Sequence, residues 1–61
     1  MEPITVEQLL KEVEHRQVVL FEAEHKRIKL GLNGVYVVEQ YPFEILETTD
    51  PTEAVNKYNE L

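Results

Sequence analysis

Sixty-one residues carry twelve acids against six Lys and Arg, a formal net charge of −6, and no cysteine. A chain this short forms one small domain that buries only about 60% of its unfolded surface, so its stability margin is thin. The composition excludes disulfides and thiolate metal sites, two histidines are too few for a self-contained zinc centre, and net repulsion from phosphate disfavours general nucleic-acid or anionic-membrane binding.

The first element begins in MEPITVEQLLKEVEH. Thr5 followed by Gln8 fits a capping box, and Ile4 and Leu9 are placed for a hydrophobic staple. Val6, Leu9, Leu10 and Val13 recur at helical spacing, and Glu7–Lys11 and Glu12–Arg16 are i,i+4 pairs with the acid first. The spacing predicts a helix over 5–15. This opening has no basic flank and no long apolar run, so it does not read as a signal peptide. No uninterrupted apolar run exceeds the four residues of Val18–Phe21, far short of a membrane span. The expectation is a soluble, cytoplasmic protein.

RQVVLFEAE follows, and its β-branched and aromatic content predicts a strand. KRIKLGL and VYVVEQY predict two more. Between them Asn33-Gly34 is the strongest short hairpin signal available, because a two-residue turn needs φ > 0 at both positions. The simplest register pairs Leu32 with Val35, Leu30 with Val37 and Ile28 with Glu39. It gathers Leu32, Val35, Leu30, Val37 and Ile28 on one apolar face. Pro42 then marks a strand end, edge or bulge. PFEILET reads as a short fourth strand or an extended return. DPTEAVNKYNEL closes the chain as a helix, with Asp50 as N-cap, Pro51 at N1 and Glu53 at N3. The expected fold is α+β: a single domain, residues 1–61, with a helix, a three-stranded antiparallel meander plus the short PFEILET segment, and a second helix.

Four features bear on function. With the simple register, Tyr36 and Val38 lie on the sheet's second face, where an apolar patch would mark association. From Glu39 onward the chain holds six acids, Glu39, Glu44, Glu47, Asp50, Glu53 and Glu60, against Lys57 alone, a net of −5. Spaced carboxylates on a rigid domain suit a basic partner. His25, Lys26, Arg27 and Lys29 form the one basic cluster and the basis of an alternative, a sheet that binds nucleic acid. Glu12 and His15 make a lone E-x-x-H, half of a di-iron pattern whose second copy is missing. There is no serine, and with only Gly31 and Gly34 there is no glycine-rich phosphate loop. No catalytic residue, metal or cofactor is expected.

From RIKLGL to NKY, the run of strands ending in a capped helix resembles the small three-strand-plus-helix modules that bind DNA through the sheet. The whole order, with its net acid, resembles some phage-encoded inhibitors of CRISPR nucleases that act as acidic DNA mimics. That likeness is of size, charge and element order, and it implies a phage or mobile-element source. The sequence reading is a small acidic non-catalytic interaction module, a regulator or inhibitor. It docks on a basic protein partner through Tyr36, Val38, Glu39, Glu44, Glu47 and Asp50. Homodimerisation would add buried area to so small a core.

Overall fold

The computed structural model describes residues 3–15 and 18–61. The order is α1 (Val6–Glu14), β1 (Val19–Glu22), β2 (Lys26–Leu30), β3 (Tyr36–Gln40), β4 (Phe43–Thr48) and α2 (Pro51–Glu60). The strands form one antiparallel meander, β1-β2-β3-β4. PFEILET is therefore a full fourth strand.

Both helices start as their sequences dictate. In α1 the Thr5 side chain accepts from the Gln8 amide at 3.1 Å, and the Gln8 side chain accepts from the Thr5 amide at 2.9 Å. The Arg16 end of the Glu12–Arg16 pair lies outside the described residues. In α2 the Asp50 carboxylate accepts from the Thr52 amide at 2.9 Å. Asn59 then ties the chain's opening to α2, donating to the Ile4 carbonyl at 2.9 Å and accepting from the Ile4 amide at 3.0 Å.

The two helices cover the same face of the sheet. Leu9 of α1 and Ala54, Val55 and Tyr58 of α2 pack with Leu20, Ile28, Tyr36 and Val38 in one buried cluster. Leu9, Ile28 and Val38 are fully buried. Burial of side chains this size is worth about 1.5–3 kcal/mol each.

The hairpin turn forms as expected, but the register beyond it does not. Asn33 (φ 60°, ψ 30°) and Gly34 (φ 74°) both adopt positive φ, and the Val35 amide donates to the Leu32 carbonyl at 3.3 Å. The Gly31 amide also donates to the Val35 carbonyl, at 2.6 Å. Gly31 and Leu32 thus oppose the single residue Val35, a one-residue bulge. Past it, Leu30 pairs with Tyr36, Ile28 with Val38 and Arg27 with Glu39. A one-residue slip exchanges the two faces of a strand. The reason is energetic: the simple register sets the Glu39 carboxylate opposite Ile28 on the core face, whereas the bulged one sets Val38 there and brings Glu39 to Arg27. Leu32, expected on the apolar face, is 88% exposed.

Two further bulges adjust the outer strands. β1 pairs Val19 with Lys29 and Phe21 with Ile28, leaving Leu20 as the extra residue, and Leu20 is buried. β4 pairs Leu46 with Val38 and Glu44 with Glu39, leaving Ile45 as the extra residue.

Candidate functional site

The bulged registers write two cross-strand rows on the sheet face away from the helices. One runs Val19, Lys29, Val37, Glu47, and the next runs Glu22, Arg27, Glu39, Glu44. In the second row the charges alternate until β4, where two acids meet.

Glu39 sits at the centre, buried, with cations on two sides. Its Oε1 accepts from Arg27 Nε at 2.9 Å, and its Oε2 lies 3.2 Å from Lys29 Nζ. Arg27 also reaches Glu22, at 3.6 Å. Burial alone would push the Glu39 carboxyl up. The hydrogen bonds from Lys29 and Arg27, and then their charges, outweigh it and hold the group below the ordinary value. Arg27 and Lys29 are thereby engaged.

Glu44 and Glu47, on β4, are in the opposite situation. Both are exposed, and neither has an ion-pair partner among the described residues. A hydrogen bond with Glu47 and then its charge raise the Glu44 carboxyl, burial and Glu39 add to the rise, and Lys29 opposes it. β4 is an edge strand, paired only with β3. Along it and the turn before it, Tyr41, Phe43 and Ile45 are exposed, Tyr41 and Phe43 by 71% and 69%. On the helix side of the strand a groove of about 550 Å³ runs between β4 and α2. Ile45 and Leu46 line it with Asp50, Glu53, Lys57 and Glu60.

The expected site residues therefore divide. Tyr36 and Val38 are not a surface patch: they belong to the core, because the bulge turns them toward the helices. Glu39 is a buried ion-pair centre and not an open carboxylate. Glu44, Glu47 and Asp50 are exposed and follow one another along β4 and into α2. Of the exposed aromatics, Tyr41 is one of three tyrosines that the sequence offers as interface anchors, and Phe43 was missed. Their signal was Pro42, which marks an edge.

The basic cluster is not brought onto one surface. Lys26 points to the helix side, donates to the Tyr58 carbonyl at 2.8 Å, and lies 4.4 Å from the centroid of the Tyr58 ring. A cation there complements the C-terminal end of α2. His25 lies in the β1–β2 turn, its Nε2 3.4 Å from the Leu61 carbonyl. Arg27 and Lys29 lie on the far face, on Glu39. His15 caps α1 and is exposed, and among the described residues no group of three or more His, Asp or Glu is placed to hold a metal. No helix among them is long and apolar enough to cross a membrane.

Comparison with known proteins yields no relative: no family model matches the chain, and neither does any curated protein or solved structure.

Proposed function

We propose that this protein is a non-catalytic binding module that docks on a basic surface of a partner protein through the acidic β4 edge. One observation carries the reading. Glu39 absorbs both nearby cations, so Glu44 and Glu47 face each other without a counter-ion among the described residues. Two adjacent like charges cost stability, and a cationic partner relieves that cost on binding. Asp50 and Glu53 extend the negative surface along the start of α2, where acids also complement the helix dipole.

Such an interface is steered by long-range charge, which salt screens over about 10 Å at 0.1 M. The test is capture of partner protein by the immobilised chain at low and high salt, beside the doubly reversed variant Glu44→Lys/Glu47→Lys. Capture that falls steeply with salt and is lost in the variant supports the reading. Capture that ignores both salt and the variant removes it. Circular dichroism of the variant confirms that its fold is intact.

A further inference from the structure

We propose that the partner engages the open edge of β4 as a fifth strand, and that the segment it supplies is extended and cationic. This rests on the acidic docking reading above and names its mode. β4 is six residues long and paired on one side only. The outward backbone groups of an edge strand are a template for another strand. The Ile45 bulge interrupts the ladder early, and from Leu46 to Thr48 the pairing with β3 is regular. β1 offers less, with four residues and a bulge of its own.

The occupant follows from what flanks this edge. Side chains of an added strand point alternately to its two faces. One set would meet Glu44 and Glu47, and the other would enter the groove over Ile45 and Leu46, rimmed by Glu53 and Glu60. Lysine or arginine alternating with apolar residues fits both. A second copy of this chain does not, because pairing β4 with β4 sets four like carboxylates against one another. Charges on edge strands ordinarily block self-pairing. Here acids do so while leaving the edge open to cations.

Three capped hexapeptides test this by NMR titration and amide hydrogen exchange of the intact protein. The first alternates lysine and valine. The second is the same with every backbone amide N-methylated, so that neither of its edges can donate to a ladder. The third alternates glutamate and valine. Strand addition predicts new protection of β4 amides by the first peptide, with binding about tenfold weaker or worse for the second and absent for the third. Equal, salt-sensitive binding of the first two overturns strand addition while leaving the acidic docking surface standing. Binding of the third as tight as the first overturns both. No protection of β4 amides at millimolar lysine–valine peptide overturns strand addition, as does protection of β4 by self-association without peptide.

Discussion

At the residue scale, Glu39 shows how a buried charge is tolerated in a domain this small. Its side chain is 10% exposed, and it meets two cations whose side chains are 27% and 30% exposed. Hydrogen bonds to charged groups contribute roughly 1.5–3 kcal/mol, and a buried group left without its partner costs about 1–3. Glu39→Gln keeps the shape and one acceptor oxygen but removes the charge that Arg27 and Lys29 share. It is expected to lower unfolding free energy by about 1–3 kcal/mol, read as a lower urea midpoint at unchanged slope. Asn59 is a second residue of this kind, since its amide satisfies both backbone groups of Ile4. Asn59→Ala is expected to cost about 1–2 kcal/mol and to speed amide exchange at Ile4. A variant whose Ile4 exchanges at the native rate would show that packing alone holds the opening segment.

At the element scale, the β2–β3 hairpin separates what local sequence determines from what the whole sheet decides. Positive φ at Gly34 is a local demand, and a side chain there is strained whatever the space around it. Gly31 is different. Its φ is −90°, and a Cβ would meet its nearest neighbour, the Val35 carbonyl oxygen, at 3.4 Å. Gly34→Ala is thus expected to lose about 1–2 kcal/mol, and Gly31→Ala much less. Thermal melts of the two variants side by side check the order. The Asn33-Gly34 turn and both helix caps were legible because each is written in a few adjacent residues, whereas the strand order rested only on the tendency of consecutive strands to pair. The bulge was not, because Leu32 and Val35 flank the turn symmetrically and look like a ladder pair. Only the competition between Val38 and Glu39 for the place opposite Ile28, ten and eleven residues away, settles the register. Everything downstream of it moved with it. Tyr36 and Val38 went from the surface to the core, Glu39 went to Arg27, and the proposed acidic site contracted to β4 and the start of α2. Glu44 and Glu47 were legible as exposed acids, but their lack of an ion-pair partner among the described residues was not, since it depends on which face Arg27 and Lys29 occupy.

At the scale of the whole molecule, Glu39 and Glu44 make stability respond to acid in two opposite steps. The folded value of Glu44 lies above the ordinary 4.5, so its ionised form is disfavoured in the fold. At neutral pH this repulsion subtracts from stability, and the penalty lifts as pH falls through the folded value toward 4.5. A chain of net charge −6 also sheds general self-repulsion on the same path. Glu39 acts the other way. Its folded value lies below 4.5, so its stabilisation is whole above that pH and fades as pH falls through the folded value. The melting temperature is therefore expected to rise on mild acidification from pH 7, pass a maximum near the ordinary carboxylate range, and fall below it. Glu44→Gln removes the like-charge contact, so it should raise the melting temperature at pH 7 and flatten the rise while leaving the acid fall in place. Glu39→Gln should do the reverse, lowering the neutral value and shrinking the acid fall. A wild-type melting temperature that declines steadily from pH 7 downward would mean that the Glu44–Glu47 contact costs the fold nothing. The proposed docking surface would then lose the unrelieved charge that argues for it.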